Sequence, residues 1–151
     1  MQVTETWYAT TTAADLGATA SATNTIQYTR DAAGRITSES DNSSSDTYQY
    51  DSQGNLLSTT ESSVGGPTVT LSYQYNTANE RTEMAATIDG TADFVDDYTY
   101  NSLGEVVSVT EHGVTGGNAV ATKEIDLAYN AAGELTTVDR YENGQLAVEG
   151  D

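Results

Sequence analysis

The chain has no cysteine, and only one each of proline, lysine, histidine, phenylalanine and tryptophan, in 151 residues. Without cysteine there is no disulfide framework and no thiolate metal site, although this alone does not fix the compartment. Basic residues number 5 against 23 acidic ones, for a net charge of −18. Phosphate recognition needs clustered Lys and Arg, so nucleic acid is an improbable partner. Heparin-like polymers and anionic membrane surfaces are disfavoured by the same repulsion. No apolar run approaches the roughly 20 residues of a membrane-spanning helix. The stretch Met1-Gln2-Val3-Thr4-Glu5 has neither the basic nor the apolar region of a signal peptide, so an export signal is expected to lie outside this chain or to have been removed. A lone His112 cannot assemble a zinc site, and no local pattern places it in a nucleophilic triad. With 23 carboxylates, pairs that imitate a glycosidase site are unavoidable and carry little weight.

What the chain does contain is Tyr, Thr, Ser, Gly, Asn and Asp, with 10 tyrosines and a mean hydropathy of −0.48. Tyr and Thr suit a pleated, half-buried surface, and Gly, Asn and Asp suit turns. No long segment carries apolar residues at helical spacing; Ala9 to Ala22, rich in Ala and Thr, is the one ambiguous stretch. The composition therefore predicts an all-β chain of short strands and tight turns.

A repeated signature organises these residues. Its clearest copies are Tyr48-Gln49-Tyr50-Asp51-Ser52-Gln53-Gly54 and Tyr98-Thr99-Tyr100-Asn101-Ser102-Leu103-Gly104. Variants carry Tyr28, Asp31 and Gly34; Tyr73, Tyr75, Asn76 and Asn79; and Tyr129, Asn130 and Gly133. The glycine position advances through 34, 54, 79, 104 and 133, in steps of 20, 25, 25 and 29. Such a period describes an array of units that bury their faces against one another. Tyrosines two apart share one face of a strand. The Asp or Asn that follows opens a type I turn, and the residue three places on needs positive φ, giving a hairpin with a glycine bulge. Asn79 replaces glycine in the third copy, and Asn is the side chain that best tolerates that conformation.

Apolar residues fall two places after the glycine (Ile36, Leu56, Val106, Leu135) and again five places after it (Met84, Val109, Val138). These offsets have opposite parity, so either a bulge separates them or the sheet is covered on both sides. Arg81 occupies the first of these positions in the third copy and is expected to snorkel or to pair with Glu80 or Glu83. Matching tyrosines of neighbouring hairpins are expected to form ladders that hold the sheet together, a reading that outweighs sugar stacking. Between hairpins lie connectors of unequal length: residues 39–47, 61–70, 89–96 and 113–123.

These motifs resemble the YD repeats, also called RHS repeats, of bacterial rearrangement-hotspot proteins, toxin-complex shell subunits and teneurins. The resemblance covers about residues 26–140, with Gly34-Arg35-Ile36 nearest the family's Gly-Arg-Leu and Gly54-Asn55-Leu56 and Gly104-Glu105-Val106 less close. It implies hairpins paired edge to edge in a continuous, twisted or spiralling sheet, the wall of a shell or fibre, extracellular or at the cell surface. The family's core segment with its Asp-Pro cleavage motif has no counterpart here. On this reading residues 1–25 are a degenerate repeat or cap, 26–140 hold five repeats, and 141–151 begin a further repeat or make an assembly contact. The expected role is structural and non-catalytic, with no cofactor. The expected partners are neighbouring repeats or further copies of the chain through edge strands. A glycan- or partner-binding module using the connectors is the alternative. The acids Asp93, Asp96 and Asp97 are weak calcium candidates against a plain solvated acidic loop, since the glycine and spacing of an EF-hand are missing.

Overall fold

The computed structural model describes residues 2–8 and 22–150. The Ala/Thr-rich stretch read as ambiguous lies, apart from Ala22, outside them. Among the described residues every regular element is a strand: β1 (Gln2–Tyr8), β2 (Ala22–Arg30), β3 (Ile36–Ser40), β4 (Ser44–Tyr50), β5 (Leu56–Ser63), β6 (Val69–Tyr75), β7 (Arg81–Ile88), β8 (Thr91–Tyr100), β9 (Val106–Gly113), β10 (Lys123–Tyr129), β11 (Leu135–Glu142) and β12 (Gln145–Gly150). They form one open antiparallel sheet in which sequence order is spatial order, β1 through β12. Among the described residues no helix is long and apolar enough to cross a membrane.

Each signature is a hairpin of the expected kind. In the β4–β5 turn the Gly54 amide donates to the Asp51 carbonyl (3.3 Å) and the Asp51 amide to the Asn55 carbonyl (2.9 Å). Gly54 has φ of 100° and Asn79, its counterpart in β6–β7, has φ of 62°. The left-handed position is therefore filled by the two residue types that reach it at least cost. A bulge follows on the returning strand. Tyr50 faces Leu56 and Gln49 faces Ser58, so Leu57 is the extra residue. The extra residue recurs as Thr37, Thr82, Val107 and Thr136. This resolves the parity conflict: Tyr98 faces Val109 and Tyr100 faces Val106, which returns offsets two and five to one face.

That face holds the tyrosines and aliphatic side chains, and the opposite face is largely Ser, Thr, Gln and acid. The alternation is plain in β4 and β6, where each tyrosine is half-buried and the Gln between is exposed. There is no second layer among the described residues. Ala86 is the single fully buried apolar side chain there. Cohesion therefore comes from the backbone ladder and half-buried cross-strand pairs rather than from an enclosed core.

One expectation is corrected. The 89–96 connector is mostly strand, whereas 113–123 is largely irregular: Thr91–Tyr100 is continuous β8, entered by a two-residue turn in which Asp89 (φ 50°) and Gly90 (φ 78°) both have positive φ. Asp-Gly there and Asn143-Gly144 before β12 (φ 50° and 75°) are the primed-turn pairs that match strand twist. Tyr141 lies within β11, and β12 follows it.

Candidate inter-repeat interface

The repeated feature with the most structure built around it is the turn end of each hairpin. The Asp or Asn that opens the turn uses Oδ1 to accept two backbone amides. Asp51 accepts from Gln53 (2.8 Å) and Asn55 (2.8 Å), and Asn101 accepts from Leu103 (2.9 Å) and Glu105 (3.1 Å). Its other side-chain atom meets the residue just after the glycine position, and the chemistry is matched copy by copy. Where the opener is Asp, the partner donates: Arg35 Nε to Asp31 Oδ2 at 2.7 Å, and Asn55 Nδ2 to Asp51 Oδ2 at 2.9 Å. Where the opener is Asn, the partner is a Glu that accepts. Asn76 donates to Glu80 (2.6 Å), Asn101 to Glu105 (2.6 Å) and Asn130 to Glu134 (2.7 Å). The Arg35 guanidinium also holds the Asp31 carboxyl below its ordinary range. This opener-partner rule stands in the sequence at a fixed offset of four residues, and the search for tyrosine and glycine passed over it.

The same partner residue reaches to the next hairpin. Arg35 Nη1 donates to the Asp51 carbonyl (3.2 Å) and its guanidinium lies 4.5 Å from the Tyr50 ring centre. Asn55 Nδ2 donates to Asn79 Oδ1 (2.9 Å). Oxygens of Glu80 and Glu105 lie so close to Gly104 and Gly133 that a Cβ there would sit 2.9 Å away. These glycines thus supply both positive φ and room for the neighbour's carboxylate.

A second link runs from the tyrosines. Tyr75 donates its hydroxyl to the Leu56 carbonyl (2.9 Å), Tyr100 to that of Arg81 (2.7 Å) and Tyr129 to that of Val106 (2.9 Å). Each acceptor is the residue two places after the glycine position of the preceding hairpin. The expected tyrosine ladder is accordingly one of hydroxyl-to-backbone bridges. The signature tyrosines lie on β2, β4, β6, β8 and β10, every second strand, so a returning strand separates the rings of successive hairpins. Arg81 is also corrected: its guanidinium lies over Tyr98 (4.6 Å) and near Tyr73 (5.7 Å), a cation–π setting between two rings rather than an ion pair with Glu80 or Glu83. Burial raises the hydroxyl pKa of Tyr48, Tyr75 and Tyr98.

The remaining candidates are placed as follows. Asp93, Asp96 and Asp97 lie on β8, not in a loop. Asp96 is on the tyrosine face beside Glu111 and Asp97 is on the other, while Asp93 falls at the register shift between β7 and β8. Asp93 accepts from Asn118 Nδ2 (2.8 Å) and Asp97 meets His112 Nε2 (3.0 Å). No group of three or more His, Cys, Asp or Glu side chains converges as a metal site among the described residues. His112 Nδ1 lies 3.1 Å from the Gly113 carbonyl, so both ring nitrogens are engaged and neither is available to activate a hydroxyl. The Gly113 carbonyl, then the Asp97 carboxylate, raise the His112 pKa.

This array of turns and bridges includes a stretch that matches a known repeat family. The RHS Repeat family model matches residues 30–68. Residues 30–68 are an RHS repeat. That span runs from the end of β2 through two signature turns to just before β6, and the same turn geometry continues at Asn76, Asn101 and Asn130. No curated protein matches the chain. Among solved structures, the crystal structure of TcdB2-TccC3-Cdc42 is similar over 84% of this chain, with 13% sequence identity and a TM-score of 0.29. The chain spans 9% of that one's length. The RHS repeat is a structural repeat, and the chain carries a structural module of that type.

Proposed function

We propose that this chain is a section of β-sheet wall in an extracellular or cell-surface RHS assembly, with a mechanical rather than catalytic role. The observation that supports it is the repetition of one clasp: each signature turn is closed by its own opener-partner pair, and each after the first is touched by the hairpin before it. A wall needs each unit to bind its predecessor and offer the same contact onward, and a side chain with one partner inside its turn and another in the next does both. The acidic composition, 23 carboxylates among 151 residues, keeps such a surface dispersed. The test is a ligand screen of the purified chain on a glycan array, with calcium titrated by calorimetry. A wall section gives no saturable binding. Saturable binding of one glycan, abolished by replacing the Val114–Thr122 connector and leaving the fold intact, would establish the adhesin-like reading instead.

A further inference from the structure

We infer that Asn143 is a self-modification site, where the side-chain amide is lost to the Gly144 nitrogen and part of the protein comes to carry isoaspartate. The inference goes beyond the wall reading and does not depend on it. Of the nine asparagines, only Asn143 is followed by glycine. A residue with no side chain leaves its own nitrogen open to reach the asparagine carbonyl carbon before it. Seven of the other eight asparagines have hydrogen-bonded side chains: Asn24, Asn55, Asn76, Asn79, Asn101, Asn118 and Asn130. Among the described residues the Asn143 side chain has no such partner, and the Gly144 N–H has no acceptor. Electrophile and nucleophile are thus adjacent, and both are free.

The Asp89-Gly90 turn has the same backbone and a tighter hold. Its φ values are 50° and 78°, against 50° and 75° at Asn143 and Gly144. Asp89 is anchored twice to Thr68: its amide donates to the Thr68 carbonyl (2.8 Å), and its Oδ1 accepts from the Thr68 amide (2.8 Å). Asn143 keeps the first of these bonds, to the Thr122 carbonyl (2.8 Å), and lacks the second. Ring closure needs the turn to open briefly and the side chain to swing over the Gly144 nitrogen. Exposed segments with few anchors open most readily, and residues 142–147 are all exposed. In the reaction the Gly144 nitrogen bonds to Cγ of Asn143, while its proton and the side-chain NH2 leave as ammonia. Water then opens the resulting cyclic imide at either carbonyl, giving aspartate or isoaspartate. Aspartate reproduces the Asp89-Gly90 pair and fits the turn. Isoaspartate routes the main chain through Cβ and adds a methylene to a two-residue loop whose length sets the Glu142–Gln145 pairing. Modification therefore loosens β11 from β12.

The experiment is incubation of the 151-residue chain in warm, mildly alkaline buffer, followed by peptide mapping in the mass spectrometer. Electron-transfer fragmentation separates isoaspartate from aspartate. The expected result is an amide-to-acid mass change at Asn143 ahead of every other asparagine, with isoaspartate among the products. An Asp89→Asn variant places a second Asn-Gly pair in the same molecule, and residue 89 is expected to change severalfold more slowly than residue 143. Asn143→Gly suits the turn and removes the amide. Amides of β11 and β12 are expected to exchange faster as the wild-type chain ages, and to keep their rates in that variant. An Asn143 that changes no faster than Asn42, which is also exposed but is followed by serine, overturns the inference. So do equal rates at residues 89 and 143, and so does ageing that loosens β11–β12 equally in Asn143→Gly.

Discussion

Hairpins β4–β5 and β8–β9 are the two clearest copies of the signature, and they reach one geometry with different residues. In the first, Asp51 accepts from Asn55; in the second, Asn101 donates to Glu105. Donor and acceptor have changed places while the turn has not. On the tyrosine face the two also differ. Asp46 faces Glu61 and Asp96 faces Glu111, equivalent carboxylate pairs. Beyond Glu111 stands Lys123, whose ammonium is 2.9 Å from it; beyond Glu61 stands Val69. Tyr100 bonds the carbonyl of the preceding hairpin, whereas Tyr50 is covered by the Arg35 guanidinium. The array is therefore specified by complementary pairs across fixed offsets, and a residue can vary as long as its partner varies with it.

The largest effect is expected at the turn glycines. Gly104 has φ of 79° and a neighbouring carboxylate where a Cβ would go, whereas at Gly54 (φ 100°) the nearest atom is 3.8 Å from that position. Gly104→Ala should lower unfolding free energy by about 1–2 kcal/mol, the cost of a left-handed residue with a side chain. Gly104→Asn should cost less, as Asn79 already occupies the equivalent place. Urea denaturation measures both, and equal losses would break the account of Asn79.

Next come the hydroxyl bridges. Tyr100→Phe should cost about 1 kcal/mol, the usual net worth of a hydrogen bond. Tyr50→Phe, whose ring contact is retained, should be close to neutral. Equal losses from the two would remove the distinction between the hairpins.

The pairing rule is sharpened by exchange. Asn101→Asp places a second carboxylate against Glu105 and should destabilise. Adding Glu105→Asn should restore stability, since the turn then copies Asp51–Asn55. A double-mutant cycle reads the coupling, and additive effects would contradict the rule.

The smallest effects concern charge on the tyrosine face. Burial, then the Glu111 carboxylate, raise the Asp96 pKa. An acid whose folded pKa is raised opposes folding when ionised, so this penalty is relieved as pH falls through the folded value towards the ordinary 3.8. Asp41 has the opposite sign. The Asn24 amide and the Ser43 and Ser44 backbone lower its pKa, so its contribution is present above 3.8 and lost as pH falls below it. Carboxyl chemical shifts followed against pH should therefore titrate Asp96 above and Asp41 below the ordinary value. Val69→Lys, which copies Lys123 beside Glu61, should raise stability slightly at low salt. Oδ1 of Asp46, shielded from solvent without a hydrogen-bond partner, marks that row as the less satisfied one.

The strands and signature turns were legible because their signals are local. Tyrosines (two apart in three copies, single in two), an opener and a positive-φ residue three places on suffice to place five turns, and the parity conflict between Val106 and Val109 announces the bulge at Val107. The 89–96 connector differs from its loop-like composition because two-residue turn chemistry outweighs it: Asp89-Gly90 reverses the chain without any intervening loop. Arg81 was assigned a carboxylate partner because Glu80 and Glu83 are adjacent in sequence. Its actual neighbours, Tyr73 and Tyr98, lie on the flanking strands. The clasp between hairpins needed the structure, since only strand order brings Asn55 to Asn79 and Tyr100 to the Arg81 carbonyl.

The central claim is that successive hairpins are zipped to one another as firmly as each is to itself. Residue-resolved native hydrogen exchange tests it directly. The account predicts slow exchange for amides in the inter-hairpin pairs β5–β6, β7–β8 and β9–β10, comparable to those within β4–β5 and β8–β9. Fast exchange confined to the inter-hairpin pairs would mean separate hairpins on a string, and would contradict it.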